Sequence, residues 1–126
     1  MEEAEAFLDE SVEDEKRILI VDDEPSIRMV LRAHLNRSGY EVTAAENGAE
    51  AIALLKADVF HCVVSDLRMP GVDGMELLGH CTSEYPGLPI ILITAHGTVD
   101  SAVEAIKLGA QDYITKPFDQ DELLPI

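Results

Sequence analysis

The sequence predicts an α/β fold, an open sheet of five parallel strands wound with helices on both faces. Three observations carry that expectation. Short apolar, β-branched runs alternate with segments of helical period at a spacing of roughly twenty residues, the pattern of βαβ units. The strand runs are largely apolar, as strands buried on both faces are. At 126 residues the chain is one domain's worth, long enough for a real core but not for two.

Residues 1–16, MEEAEAFLDESVEDEK, carry eight acids against one lysine, −7 of the formal −16, which leaves −9 for the rest. Residues 1–15 are expected to be an acidic, flexible extension and residues 16–126 the folded domain. The helical spacing of Ala4, Phe7, Leu8 and Val12 keeps a docking helix open as the alternative. RILIV (17–21) is the first strand. Ser26 is the candidate cap of the first helix, with Ile27, Val30, Leu31, His34 and Leu35 on one face and Gly39 as its stop. EVTAA (41–45) is the second strand, and Gly48 to Lys56 the second helix, carrying Ile52 and Leu55. CVVS (62–65) is the third strand. Asp73-Gly74 opens the third helix, which runs through Leu78, Cys81 and Tyr85 to Pro86-Gly87. IILIT (90–94) follows, then a helix from about Thr98 with Val99, Ala102, Val103 and Ile106 inward and Gly109 closing it. DYIT (112–115) is the fifth strand, and Asp119 caps a fifth helix. Pro125 lacks an N–H and disfavours continuation, so that helix is expected to be cut short, by truncation or at a natural junction.

Crossovers between parallel strands are right-handed, and five strands at this length favour the flavodoxin-like (βα)5 order 2-1-3-4-5. No apolar run approaches a membrane span and no basic-then-apolar leader opens the chain, so a cytoplasmic protein without a membrane partner is expected. Cys62 and Cys81 then read as free thiols. The net charge of −16 argues against nucleic-acid binding by this domain, because a phosphate backbone would be repelled.

Ligands of such sheets bind outside the carboxyl ends of the strands. Asp22, Asp23 and Glu24 follow strand one, Asp66 strand three, Thr94 closes strand four, and Lys116 stands before Pro117 after strand five. In the order 2-1-3-4-5 these ends are neighbours, about 5 Å apart. Clustered carboxylates call for a hard divalent cation with oxygen ligands, and Mg2+ suits them, with Mn2+ as the alternative. Three carboxylates are then balanced by the ion and the Lys116 ammonium. In that setting a carboxylate can take a phosphoryl group as a nucleophile, and Asp66, on the central strand, is the candidate. Thr94 offers a hydroxyl and Ala95 a backbone N–H to the phosphoryl oxygens.

Residues Arg17–Leu124 resemble the receiver domain of two-component response regulators, the CheY-like fold. The resemblance is carried by VDDE (21–24), SDLRMPGVDG (65–74), ITAHG (93–97) and YITKPF (113–118), in order and each at a strand end. TAHGTVDSAVEAIKLGAQDYITKPF (94–118) is most similar to receivers of the NtrC type, which precede an ATPase module and a DNA-binding domain. The resemblance implies that Asp66 is phosphorylated by a sensor histidine kinase. It implies metal ligation by Asp23, Asp66 and the Arg68 backbone carbonyl, with Asp22 acting through water. Thr94, the Ala95 backbone and Lys116 would contact the phosphoryl group, and Lys116–Pro117 would be a cis peptide. Thr94 and Tyr113 would be the switch pair, read out on the face of helix four, strand five and helix five. That face would also serve a homodimer and a transcriptional output domain outside this chain. The domain would be a phosphoacceptor that catalyses only its own phosphotransfer and dephosphorylation.

Alternatives stand beside these readings. Glu24 is a helix-entry acid or a metal residue, Tyr113 plain core or a switch, and His96 a solvated loop residue or a tuner of phosphate lifetime. His34, His61 and His80 have no metal-ligand spacing. A phosphatase of the haloacid dehalogenase type also uses aspartate, Mg2+, threonine and lysine, with its nucleophile after strand one in a DxD pattern. The acids here read DDE, and there is no chain for a cap domain. An interaction module that is not phosphorylated would tend to lose the acids or the lysine. An FMN carrier would need glycines and hydroxyls where Pro25 stands.

Overall fold

A computed structural model describes residues 16–94 and 99–115. The elements are β1 (Arg17–Val21), α1 (Pro25–Arg37), β2 (Glu41–Ala45), α2 (Gly48–Ala57), β3 (Cys62–Asp66), α3 (Gly74–Glu84), β4 (Ile90–Thr94), α4 (Val99–Lys107) and β5 (Asp112–Thr115). All five strands pair in parallel, in the order β2-β1-β3-β4-β5. The expected fold class and strand order are therefore observed. The N-terminal extension, Ala95, His96, Lys116, Pro117 and the expected fifth helix lie outside the described residues.

Successive side chains of a strand point to opposite faces, so the central strands feed two cores. On one face Leu19, Val63 and Leu92 meet Leu55 of α2, Leu77 and Cys81 of α3, and Ala105 of α4. On the other, Ile20, Val64, Ile93 and Ile114 meet Leu31 and Leu35 of α1. A fully buried side chain such as Leu92 contributes on the order of 2 kcal/mol. Both cysteines are free and buried, and burial pushes their thiols up, Cys62 to about 12 and Cys81 to about 11.

Three expectations need correction. Ser26 is not the cap of α1. Pro25 occupies the first turn, where its missing N–H costs nothing, and Glu24 is the N-cap residue without a side-chain capping bond. The inward face of α4 is also different: Ala105 is buried, whereas Val103 and Ile106 are 47% and 50% exposed. Small alanines let this helix lie close to the sheet, which turns its bulkier apolar residues outward. Val30 of α1, at 46% exposed, is likewise not inward.

At the amino-terminal edge of the sheet Arg17 clasps Asp58 through two hydrogen bonds, one of them 2.6 Å from Nη2 to Oδ2. Its guanidinium also lies 5.3 Å from the Phe60 ring centroid. The Arg17 hydrogen bonds, helped by the Val59 N–H, hold the Asp58 carboxyl below the usual carboxylate range. A depressed carboxylate contributes stability above its unfolded pKa and loses it as pH falls through the folded one. The stability difference between wild type and Asp58→Asn should therefore be constant above about pH 5 and vanish in stronger acid. Urea melts across that range check it, and a difference unchanged by acid would exclude the pair as its cause.

Candidate functional site

Register brings the acids together. Val21 of β1 is level with Ser65 of β3, so Asp22 follows at the height of Asp66. Carboxylate oxygens of Asp22, Asp23 and Asp66 all lie within 4.8 Å of one another. Asp22 is 1% exposed and Asp66 8%, while Asp23 faces solvent. Asp66 is the last residue of β3, level with Ile93, so Thr94 ends the next strand one step further on. Thr94 is fully buried.

The backbone around these residues is tightly held. The Asp22 N–H donates to the Ala45 carbonyl at 3.2 Å, and Asp22 Oδ1 accepts the Glu24 N–H at 2.9 Å. Arg28 Nη1 donates to the Asp22 carbonyl at 2.7 Å. The Ser65 hydroxyl donates to the Asp66 carbonyl at 2.9 Å, and the Leu67 N–H to the Ile93 carbonyl at 3.1 Å. The loop from Leu67 to Asp73 is then clamped from two sides. Gly74 leaves no room for a Cβ, which would stand 2.3 Å from the Asp66 carbonyl oxygen. A Cβ on Gly48 would stand 2.4 Å from the Val72 carbonyl oxygen. Asp73 and Glu76 form a reciprocal capping box that starts α3 directly behind the loop.

The donor chemistry fits a hard divalent cation. Three carboxylates offer only oxygen, and their mutual repulsion is relieved by a cation between them. The Arg68 side chain, two residues beyond Asp66, is exposed. Glu24 lies outside the group of three and serves as the N-cap residue of α1. Met69, expected only as turn chemistry, is buried in the core under the loop. Tyr113 of β5 is level with Leu92, and Thr115 with Thr94, so Tyr113 and Thr94 share a face of the sheet. The Tyr113 hydroxyl lies 2.8 Å from the Ser101 hydroxyl of α4, an unforeseen contact.

A cleft of about 490 Å3 adjoins the acids, lined by Asp23, Glu46, Asn47, Ala49, Pro70, Gly71 and Val72. A larger one, about 650 Å3, opens at the opposite end of the strands beside Phe60, His61, Tyr85 and Pro89. Of the two, the smaller cleft is the relevant one, because Asp23 of the clustered carboxylates lines it.

Comparison with known proteins agrees with this geometry. The family model described as the response regulator receiver domain matches residues 18–126. The DNA-binding transcriptional regulator NtrC of Escherichia coli strain K12 is 44% identical over 109 residues, 86% of this chain and 23% of that protein. The chain thus spans about a quarter of the length of the curated relatives it matches. Among solved structures, the beryllofluoride-activated NtrC4 receiver domain dimer superposes with a TM-score of 0.80 at 40% identity, covering 84% of this chain and 88% of that one. A response regulator of Burkholderia pseudomallei, carrying a phosphorylated aspartic acid, a calcium ion and citrate, gives a TM-score of 0.81 at 31% identity over 87% of this chain and 65% of that one.

Proposed function

The chain belongs to the response regulator receiver domain family, and from that premise we propose that Asp66 is its phosphoacceptor, served by a cation held by Asp22, Asp23 and Asp66. The observation that carries this reading is the convergence of those three carboxylates at the carboxyl edge of the sheet. The phosphorylated aspartic acid and calcium ion of the Burkholderia relative support it.

An Asp66 carboxylate oxygen attacks the phosphorus of a phosphohistidine on a sensor kinase. The new P–O bond forms as the P–N bond breaks, and the electron pair leaves with the imidazole. Asp22, Asp23, Asp66 and the Arg68 carbonyl would hold Mg2+, which would neutralise charge on the transferred oxygens. Thr94 donates its hydroxyl to one of those oxygens, the Ala95 N–H donates to another, and the Lys116 ammonium pairs with the group. Water later attacks the acyl phosphate and restores the carboxylate.

Adding about two negative charges beside Thr94 draws its hydroxyl inward and frees space toward Tyr113 on the same face. The change is read out on α4 and β5, together with the fifth helix expected after Asp119. Val103 and Ile106 of α4, and Leu108 just after it, are exposed and apolar, suited to a partner or a second copy. The dimeric NtrC4 receiver supports a second copy as a partner, and the NtrC relative supports a transcriptional output. Residues 16–126 form the receiver and residues 1–15 its extension. No helix among the described residues is long and apolar enough to cross a membrane.

Intact-mass spectrometry after incubation with acetyl phosphate tests this. With Mg2+ one phosphoryl group per chain is expected, and with a chelator none. Unlabelled protein in saturating Mg2+, or equal labelling with and without the ion, would contradict the proposal.

A further inference from the structure

Arg28 stands in the first turns of α1, half-buried, in a chain with 25 acids and only 9 lysines and arginines. Despite that surplus of carboxylates it makes no ion pair among the described residues. Its guanidinium is instead directed to the carbonyl of Asp22 at 2.7 Å. That carbonyl lies where the chain leaves β1, just before α1, whose N-cap residue Glu24 makes no side-chain capping bond and whose first turn holds no acid. The Asp22 N–H donates to the Ala45 carbonyl and its Oδ1 accepts from the Glu24 N–H, and the Arg28 bond adds a restraint on the carbonyl side of this residue's backbone.

We propose that Arg28 is a positioning residue of the acidic site. By pinning the Asp22 carbonyl it sets where the Asp22 and Asp23 carboxylates stand relative to Asp66, and so the affinity of the site for a divalent cation. The proposal rests on the reading of that site given above. Two effects of the guanidinium oppose each other here, and their signs differ. As a bare positive charge it repels a cation, so removing it would tighten binding. As a brace it holds two ligands in place, so removing it weakens binding, and partners that orient metal ligands typically count for about 10–100-fold in affinity. The brace is the larger effect because the 2.7 Å bond is short and directional, whereas the charge of a half-exposed guanidinium is screened by solvent.

The test is a Mg2+ titration of the chain without phosphodonor, followed by the amide resonances of residues 22–24, in wild type, Arg28→Ala and Arg28→Lys. Arg28→Ala should bind Mg2+ about tenfold more weakly. Arg28→Lys keeps one donor for the same carbonyl and should recover most of that loss. Labelling of Asp66 by acetyl phosphate should return to the wild-type extent in Arg28→Ala once Mg2+ is saturating. Should Arg28→Ala be unfolded, Arg28→Met, which retains an apolar stem along the helix, takes its place. Equal or tighter Mg2+ binding in the neutral variant would overturn the role of Arg28 and leave the site intact. Wild-type protein that binds no Mg2+ would overturn the reading of the site, and the role of Arg28 with it.

Discussion

Asp66→Asn is expected to abolish labelling by acetyl phosphate, whereas Asp22→Asn should only raise the Mg2+ concentration that labelling needs. The amide has no anionic oxygen to attack phosphorus, so nothing at position 66 can form the acyl phosphate. Asp22 lies beside it, 1% exposed, and on the proposed reading would contribute charge and orientation to the cation rather than the nucleophile. The pair of variants separates a receiver from a phosphatase of the haloacid dehalogenase type, in which the acid after the first strand would carry the covalent group. Loss of labelling in Asp22→Asn at saturating Mg2+, with Asp66→Asn still labelled, would favour the phosphatase. Neither variant should unfold the domain. Each removes one of three mutually repelling charges, so without Mg2+ thermal melts should show equal or higher stability. The stabilisation that Mg2+ confers should shrink in both, because a ligand's stabilisation grows with the logarithm of its affinity for the folded state.

Gly74→Ala should be the most damaging single-methyl change near the site. The added Cβ would stand 2.3 Å from the Asp66 carbonyl oxygen and 2.8 Å from the Leu67 Cα. Both are backbone atoms, so no flexible side chain can swing away. Either β3 or α3 must shift, at a cost of about 3 kcal/mol. Out of a total stability of about 5–15 kcal/mol this is a large share, and it lowers Tm by roughly 10 °C. The displacement falls on Asp66 itself, so labelling should slow as well. Gly79 is the control. It lies in the same helix with nothing within 4 Å of its absent Cβ. Gly79→Ala should therefore stabilise the domain by about 0.5–1 kcal/mol through helix propensity. A Gly74→Ala variant as stable as Gly79→Ala would mean that the loop after Asp66 gives way freely.

What the sequence could reveal divides along physical lines. Strand ends were legible because an apolar, β-branched run that stops at a carboxylate marks its own boundary, as at Asp22 and Asp66. Once right-handed crossovers fix the strand order, those ends must converge. Which side of α4 faces the sheet was not legible. Val103 and Ile106 have helical spacing, but so do the alanines, and hydrophobicity alone cannot say that the small residues pack inward. The cap of α1 was misplaced for a related reason: Ser26 is a good capping type, yet Pro25 is better suited to the first turn than a serine is to precede it. The clamps at Gly48 and Gly74 and the Arg28 bond were invisible because each depends on which backbone atom lies opposite. A glycine after Asn47 or Asp73 looks like ordinary turn chemistry until Val72 and Asp66 are found against it.

The location of the phosphoryl group can be read chemically. Borohydride reduces an acyl phosphate of aspartate to homoserine, so labelled protein can be reduced, digested and mapped by tandem mass spectrometry. Homoserine at position 66, formed only with acetyl phosphate and Mg2+ present, is the expected product. Homoserine at position 22 or 23 instead, or none in protein that demonstrably binds Mg2+, would contradict Asp66 as the phosphoacceptor.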